Sequence, residues 1–352
     1  MPEAPQTTRL RSRPGDFQPP YDAHTTIFPA DWRDYVMGQF AVQIAPGADG
    51  AETELALDEA LAQSPAPLHV ERVDTTDAKA CLNKVRMAYW QNARDYGEWR
   101  ANPAVTEFLQ HTLEGHVGLW REVIVAPADN VDPTGGASRH LWGVGRHLKQ
   151  VWERYHAYYG SMRDRMPNGR VPEIEGQGIT LQPRDEFASK GRRLTVDLPH
   201  NLCFIRNVSG WRNCPPEVKR TFIDELLPVY ERGARYLRDN PIEVSCISAR
   251  LCDVIDDAPP TEIDSETLAW FTSLAALEAW THRHPTHAAI FKKAQEIGMR
   301  FGFDAKMDLG HEVVVVPQGG IDAEYNNCHS ETGFLRFFPS RIVDLNSGIS
   351  HT

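Results

Sequence analysis

Alternating apolar and polar positions, separated by stretches with helical spacing, divide the first third of the chain into strands and helices. Strands are expected where apolar residues recur every second position, and helices where they recur every third or fourth. The resulting β-α-β-β-α-β order is typical of a ferredoxin-like unit. The predicted elements are strand 35–43, helix 51–63, strands 68–73 and 84–90, helices 93–102 and 102–113, and strand 119–125.

The last third of the chain repeats this logic, whereas the middle is rich in loop residues and has helical spacing only at 151–163. A strand with turns is predicted at 194–206, followed by a strongly amphipathic helix at 216–240. The remaining predicted elements are a strand at 244–252, a run at 262–271 that leads into a helix at 274–283, a helix from Pro285, and a strand that ends near Val316.

The repeated order predicts an α+β fold built from two fused ferredoxin-like halves, at about 33–128 and 195–335. With their sheets facing, the halves are expected to form a dimeric α/β-barrel-type core flanked by helices. They make up one domain, 33–345. Before it, residues 1–32 hold six prolines and few apolar runs, which predicts an extended N-terminal arm.

Composition excludes several functional classes. The chain has 352 residues, of which 41% are hydrophobic and 24% charged, as in ordinary globular proteins. Its net charge of −11 argues against nucleic-acid binding, which needs a basic surface. No apolar stretch reaches the roughly 18 residues of a membrane span, and the polar N-terminus does not resemble a signal peptide. Six scattered cysteines without a CxxC pair are expected to be reduced, so the sequence predicts a cytoplasmic protein.

Two of the 14 histidines lie on apolar faces. His287 precedes a helical stripe of apolar residues: Ile290, Phe291, Ala294, Ile297 and Phe301. His311 occupies an inward position in an alternating run, 305–315. About 14 helical residues carry the chain about 21 Å away from His287, and six strand residues bring it back by about 20 Å. If the strand lies antiparallel to the helix, both histidines reach one level and can flank a flat apolar cofactor or share a metal.

The histidine pattern leaves alternatives open. A single histidine on an apolar face is most often a hydrogen-bonded core residue, and two at matched height make a functional site more attractive. Zinc needs three or four ligands; His329 is a further candidate, but a compact motif such as HExxH is absent from the sequence. A haem needs only one neutral imidazole and an apolar pocket, which fits the pattern better.

Several motifs along nearly the whole chain occur together in one order. They include Gln18-Pro19-Pro20, Gly160-Ser161-Met162-Arg163-Asp164-Arg165, Phe204-Ile205-Arg206, His284-Pro285-Thr286-His287, His311-Glu312-Val313 and Asn327-Cys328-His329. With these motifs the chain resembles the haem-dependent aldoxime dehydratases (the phenylacetaldoxime dehydratase family), lyases that convert R–CH=N–OH into a nitrile and water. The resemblance implies haem b with ferrous iron in the active state, a small uncharged aldoxime as substrate, and a homodimer.

The resemblance also implies roles for individual residues. His287 matches the proximal ligand of the haem iron, and His311 matches the distal acid–base residue. Arg165 matches an arginine of the distal pocket, and Asp132 matches an acidic residue that supports the distal histidine. Asn207 stands where the family has a serine that hydrogen-bonds the oxime hydroxyl, with Ser209 two residues further on; an asparagine side chain can still donate such a bond.

The implied mechanism combines the iron with acid–base catalysis. The oxime nitrogen binds ferrous iron, protonated His311 gives a proton to the leaving hydroxyl, and neutral His311 takes the Cα proton; such catalysis contributes roughly 10²–10⁴-fold. Arg165 and Asn207 would hold the hydroxyl in place. Because Asn207 differs from the family serine, two alternatives stay open. One is a related haem enzyme that acts on another N–O or N–N compound, and the other is a haem-binding protein without turnover.

Overall fold

The computed structural model describes residues 8–133, 141–255, 264–303 and 305–343 of the 352-residue chain. Two compact units can be distinguished. The larger unit contains the chain up to Arg33, Ala126–Leu181 and Pro199–Pro317, and the smaller unit contains Asp34–Val125, Gln182–Leu198 and the chain from Gln318. None of the described helices is long and apolar enough to cross a membrane.

Strands and helices alternate along the chain, as the sequence pattern predicts, and the fold is of the mixed α and β kind. The strands are β1 His24–Ile27, β2 Asp34–Ile44, β3 His69–Thr76, β4 Leu82–Trp90, β5 Val117–Pro127, β6 Val131–Asp132, β7 Lys149–Trp152, β8 Arg193–Val196, β9 Leu202–Gly210, β10 Cys246–Val254, β11 Ser265–Phe271, β12 Asp308–Val316, β13 Ile321–Asn326 and β14 Ser340–Ile342. The helices are α1 Ala51–Leu61, α2 Ala93–Ala101, α3 Pro103–Gln110, α4 Ser161–Arg165, α5 Pro216–Thr221, α6 Leu227–Asp239, α7 Pro241–Val244, α8 Leu274–Arg283 and α9 Pro285–Phe301.

The sheet of the smaller unit has the strand order β14-β8-β13-β5-β2-β4-β3. Strand β4 pairs antiparallel with both β2 and β3, so that Val36 lies opposite Trp90 and Val73 opposite Val85. Strand β13 pairs antiparallel with β5 and β8. The four strands predicted for the first part of the chain are therefore neighbours, in the order β5-β2-β4-β3.

Aromatic side chains fill the core of the smaller unit, in a cluster that joins β2, β4 and β5 to α1, α2 and α3. The ring centroid of Trp99 lies 5.4 Å from that of Phe40 and 5.0 Å from that of Trp90. Trp99 is 0% exposed, and its Nε1 donates to the carbonyl oxygen of Ala60 at 2.9 Å. Both the apolar surface and the indole N–H of Trp99 are thus satisfied inside the unit.

The larger unit has a sheet of order β10-β11-β9-β12-β6, antiparallel at each neighbouring pair. In chain order, its four long strands are β9, β10, β11 and β12, and they occupy the same relative positions as β2, β3, β4 and β5 in the smaller unit. Helices α6 and α9 pack against each other, and α6 packs on β10. A separate two-stranded sheet pairs β1 with β7.

Helix α9 begins and ends where the sequence places it. Pro285 occupies the first turn, where its missing N–H costs nothing, and the side chain of His284 accepts a hydrogen bond from the backbone N–H of Thr286. The helix ends at Gly302, whose φ of 90° is one that glycine adopts readily. Strand β12 then starts at Asp308, so the helix and the strand predicted for the segment with both histidines are confirmed, although the strand begins three residues later than the predicted alternating run.

The helical prediction for 151–163 is wrong. Val151 and Trp152 belong to β7, where they pair with Thr25 and His24 of β1. The helix α4 begins only at Ser161, after a turn in which Ala157 has a positive φ of 65°. Backbone pairing with a distant strand and a turn that breaks the helix outweigh the local helical spacing.

Two further predictions need correction. The segment predicted as one helix at 216–240 is helical but not uniform, because a π-helical turn, Phe222–Leu226, separates α5 from α6. Pro228 in the first turn of α6 lacks the N–H that a regular α-helix needs. The predicted barrel-type core is not formed by the described residues, because the strand order closes on itself in neither unit.

Candidate functional site

A cavity lies within the larger unit. Its walls come from α6, α8 and α9, from β9, β11 and β12, and from segment 156–162. Its volume is about 280 Å³, near the lower end of the roughly 300–1,000 Å³ of an ordinary small-molecule site. The cavity is therefore of the size of a binding site, and the chemistry of its lining decides which group fits.

Three neighbouring strands form one wall, and their register sets out a row of polar side chains. His311 on β12 lies opposite Asn207 on β9, which in turn lies opposite Thr267 on β11. All three residues line the cavity. The Asn207 Nδ2 donates to the carbonyl oxygen of Gly310 at 3.3 Å, and the Thr267 hydroxyl shares a 2.7 Å hydrogen bond with the Tyr230 hydroxyl.

Helix α9 supplies another wall, on which His287, Ile290 and Phe291 line the cavity. The ring centroids of His287 and Trp280 are 4.7 Å apart in an edge-to-face arrangement. Burial lowers the pKa of His287 to about 4, while the nearby backbone of Thr281 opposes part of this shift. Its Nδ1 is buried and has no hydrogen-bond partner among the described residues. At neutral pH, His287 is therefore an uncharged imidazole suited to binding a metal.

His311 belongs to a compact cluster with Arg165 and Asp132. Its Nε2 lies 3.1 Å from Asp132 Oδ2 and 3.0 Å from an Arg165 Nη atom. Arg165 donates to both carboxylate oxygens of Asp132, at 2.9 and 2.6 Å. Burial alone would raise the pKa of Asp132, but the charge of Arg165 and hydrogen bonds from His311 and Arg165 lower it to about 2. Asp132 is therefore ionised at any pH at which the protein is expected to work.

The register of β6 explains how Asp132 reaches His311. Asp132 pairs with Val313 on β12, two residues beyond His311 and on the same side of that strand. The turn that follows is held by Glu312, whose Oε1 accepts a 2.7 Å hydrogen bond from the backbone N–H of Val144. A Cβ at Gly143, which has a φ of 55°, would come within 2.2 Å of the same oxygen. Gly143 is therefore needed for this close approach.

The structure places Arg165 directly beside His311. Its side chain is 2% exposed and is not among the residues that line the cavity. Its guanidinium contacts Asp132, His311 and the carbonyl oxygen of Tyr155. Of the five candidate residues, His287, His311 and Asn207 line the cavity, while Arg165 and Asp132 lie behind His311.

Sequence reasoning missed further polar residues of the cavity. Tyr230 stands in the apolar stripe of α6, and its hydroxyl donates to the carbonyl oxygen of Asn207 at 3.2 Å. Tyr21 forms a 2.7 Å hydrogen bond with His156 Nδ1. Burial raises the pKa of Tyr21 to about 12. Hydroxyl groups at otherwise apolar positions were the available signal.

His329, the further zinc candidate, lies in the smaller unit. Its Nε2, Asp77 and Cys81 offer ligand atoms that lie within 4.8 Å of one another. One oxygen of Asp77, Oδ2, however, already accepts hydrogen bonds from His329 at 2.9 Å, Asn83 at 2.9 Å and Gln43 at 3.2 Å. These hydrogen bonds form a polar network, which agrees with a structural role for His329.

The residues around the cavity fit a haem. A haem site requires a neutral imidazole and apolar walls; His287 supplies the first, and Ile205, Leu309 and Ile290 contribute to the second. His311, on the strand wall, is held separately by charged partners and is suited to proton transfer.

Comparison with known proteins agrees with this assignment. Residues 39–334 match the model of a family described as haem-containing dehydratase. The chain is 30% identical to the phenylacetaldoxime dehydratase of Bacillus sp. (strain OxB-1), over 94% of this chain and 95% of that protein. It is 28% identical to the aliphatic aldoxime dehydratase of Rhodococcus globerulus, over 94% of each. A crystal structure of an aldoxime dehydratase in complex with butyraldoxime superposes with a TM-score of 0.84 at 26% identity, covering 94% of each chain.

Proposed function

Because the chain belongs to the haem-containing dehydratase family, we propose that it is a haem-dependent lyase that dehydrates aldoximes to nitriles. The observation that carries the proposal is the pairing of two different histidines in one cavity. His287 is neutral, with an uncommitted ring nitrogen, and His311 is hydrogen-bonded to a buried ion pair. Metal binding needs the first kind of histidine, and proton transfer needs the second.

We propose that His287 holds the haem iron. When bound, ferrous haem supplies a metal site that accepts the oxime nitrogen and weakens the N–O bond. The apolar cavity walls exclude water from this site, which strengthens each polar contact with the substrate.

His311 is the proposed acid–base residue. In its protonated form it gives a proton to the oxime hydroxyl, which leaves as water, and in its neutral form it takes the proton from the substrate Cα. Asp132 accepts a hydrogen bond from the Nε2–H of the ring, so that the ring stays oriented through the reaction and the proton exchanged with the substrate is the one on Nδ1. Arg165 holds the Asp132 carboxylate in place with two hydrogen bonds.

Asn207 is the residue proposed to contact the substrate beside His311. The two side chains are cross-strand neighbours, whose Cβ atoms are typically about 4.5–5.5 Å apart. Replacement by serine is the sharpest test of this position. A gain of aldoxime turnover in Asn207→Ser would show that asparagine restricts this reaction, and would favour another N–O or N–N compound as the preferred substrate.

Spectroscopy and turnover together test the proposed function. Protein loaded with haem and reduced with dithionite is expected to show a Soret band and to form nitriles from butyraldoxime or phenylacetaldoxime under anaerobic conditions. The absence of a Soret band after haem addition would exclude every haem-based function. A Soret band without nitrile formation from either aldoxime would exclude the dehydratase.

We also propose a more detailed architecture and assembly. In both units the four long strands follow the order that a β-α-β-β-α-β unit adopts in a ferredoxin-like fold, which supports two ferredoxin-like halves of one catalytic domain, 33–345, preceded by an N-terminal arm, 1–32. The family resemblance suggests a homodimer, and six unpaired cysteines are consistent with the cytoplasm. Sedimentation equilibrium tests the dimer; a mass of one chain at micromolar concentration would contradict it.

A further inference from the structure

Ser209 has a buried hydroxyl without a partner. It lies on β9 with 1% of its surface exposed and is one of the residues that line the cavity. Its Oγ has no hydrogen-bond partner in the described part of the chain. A buried hydroxyl that stays unpaired costs free energy, so a ligand that pairs with it gains affinity.

The position of Ser209 brings its hydroxyl close to the proposed reaction site. It is two residues from Asn207 on the same strand, and both side chains line the cavity. It lies opposite Leu309 on β12 and is therefore a diagonal neighbour of His311. Diagonal neighbours are about 7–8 Å apart, which leaves room for a small polar group between their side chains.

Other polar side chains of this wall already have partners inside the protein. The Asn207 amide donates to the carbonyl oxygen of Gly310, and the hydroxyls of Thr267 and Tyr230 bond to each other. His311 Nε2 contacts Asp132 and Arg165. Ser209 differs from these residues because its hydroxyl is uncommitted.

We propose that Ser209 is a substrate-binding residue whose Oγ–H donates a hydrogen bond to the hydroxyl oxygen of the aldoxime. This inference rests on the proposed function, because the aldoxime is the ligand. The ligand class is a small apolar molecule that ends in a C=N–OH group, held by the cavity walls at one end and by Ser209 and His311 at the other. The same contact stabilises negative charge on the oxygen as the N–O bond breaks, and it therefore affects turnover as well as binding.

Ligand binding to the ferrous haem protein, followed by the Soret shift, separates this contact from general packing. Butyraldoxime carries the hydroxyl, and n-butyl isocyanide is a haem ligand with a similar tail and no hydroxyl. Ser209→Ala is expected to raise the Kd of butyraldoxime by about 3- to 10-fold, the range of one hydrogen bond, and to leave the Kd of the isocyanide within about twofold. The kcat/KM of Ser209→Ala for butyraldoxime should fall by at least the factor by which its Kd for butyraldoxime rises.

Two other variants make the test specific. Ser209→Thr keeps a hydroxyl and should restore most of the aldoxime affinity. Ser248→Ala removes another buried hydroxyl that has no partner in the described residues; Ser248 does not line the cavity, so this variant should match the wild type. If Ser209→Ala fails to take up haem, Ser209→Cys keeps the shape with a weaker donor and should show the same selective loss.

Equal Kd values for butyraldoxime in Ser209→Ala and the wild type would overturn the inference. Equal weakening of both ligands would also overturn it, because that result indicates a change in packing. These outcomes are distinct from failure of the proposed function. If the wild type binds butyraldoxime but forms no nitrile, the dehydratase is excluded, and the two Kd values still decide whether Ser209 contacts the hydroxyl.

Discussion

The two units of the chain share a strand order but differ in what lies between the strands and the helices. In the smaller unit, large aromatic residues occupy this space, with Phe40, Trp90 and Trp99 in mutual contact. In the larger unit, the corresponding layer contains the cavity, whose lining includes small residues such as Ala269 and Ala294. The same strand order thus accommodates a solid core in one unit and a cavity in the other.

The two regions also differ in whether their buried polar atoms have hydrogen-bond partners within the protein. In the smaller unit, the indole N–H groups of Trp90 and Trp99 donate to backbone carbonyl oxygens at 3.2 and 2.9 Å. Around the cavity, His287 Nδ1 and Ser209 Oγ are buried and lack partners among the described residues. A filled core satisfies its own polar groups, whereas a binding site leaves some of them for a ligand.

Filling the cavity should have the largest effect on haem binding. Ala294→Trp places a large ring on the cavity wall of α9 and should abolish haem uptake, because the ring occupies the space the haem needs. The Soret absorbance on haem titration measures this. Ala289→Trp on the same helix, at an exposed position, is the control and should bind haem normally. Normal haem uptake by Ala294→Trp would show that the haem lies elsewhere.

His311→Ala should still bind haem but should lose most of its catalytic activity. Its kcat for nitrile formation is expected to fall by roughly 10²–10⁴-fold, the usual contribution of acid–base catalysis, while the Soret band stays. His116→Ala, at an exposed position of the smaller unit, is the matched control. Wild-type turnover in His311→Ala would refute the assigned role.

Trp99→Ala tests the filled core. Because Trp99 is 0% exposed, its removal should lower the free energy of unfolding by about 3–5 kcal/mol, as measured by urea denaturation. Haem affinity should be unchanged, since the residue belongs to the other unit. Trp152→Ala, at a position 45% exposed, should cost much less. A similar loss in both variants would mean that the aromatic cluster has no special importance.

The ion pair behind His311 predicts a smaller, pH-dependent effect. The pKa of Asp132 is lowered to about 2 from an ordinary value of 3.8, so its ionised form stabilises the fold above about pH 4, and this contribution is lost as the pH falls toward 2. Asp132→Asn should lower the free energy of unfolding by about 2–3 kcal/mol at neutral pH, and the difference from wild type should shrink below about pH 4.

Denaturant unfolding at several pH values measures this difference. Asp322→Asn is the control in the smaller unit, because Asp322 also pairs with an arginine but is 41% exposed; its effect should be smaller and should leave catalysis intact. A stability difference for Asp132→Asn that does not change with pH would contradict the assigned pKa.

Local pattern predicted most strands and helices, and it placed the two histidines correctly on apolar faces. Helix α9 and strand β12 could be derived because Pro285, Gly302 and the alternation before Val316 are local signals. The strand β7 was missed because its partner β1 is more than 100 residues away in the chain, and a pairing of this kind has no local signal. The open sheets were likewise not predictable from the order of the elements.

The site was only partly predictable for a related reason. The sequence pattern alone indicated His287 and His311, and family resemblance added Asp132, Arg165 and Asn207. Neither showed that Arg165 is committed to Asp132, or that Ser209 is left without a partner. Both facts depend on the strand register, which brings β6 and β9 beside β12.

His287 is the residue proposed to hold a haem in the cavity of the larger unit. Titration of the haem-free protein with haem, followed at the Soret band, tests it most directly in the wild type and in His287→Ala. Saturation at one haem per chain is expected for the wild type, and the variant is expected to lose this tight binding. Equally tight haem binding by His287→Ala, with an unchanged spectrum, would contradict it.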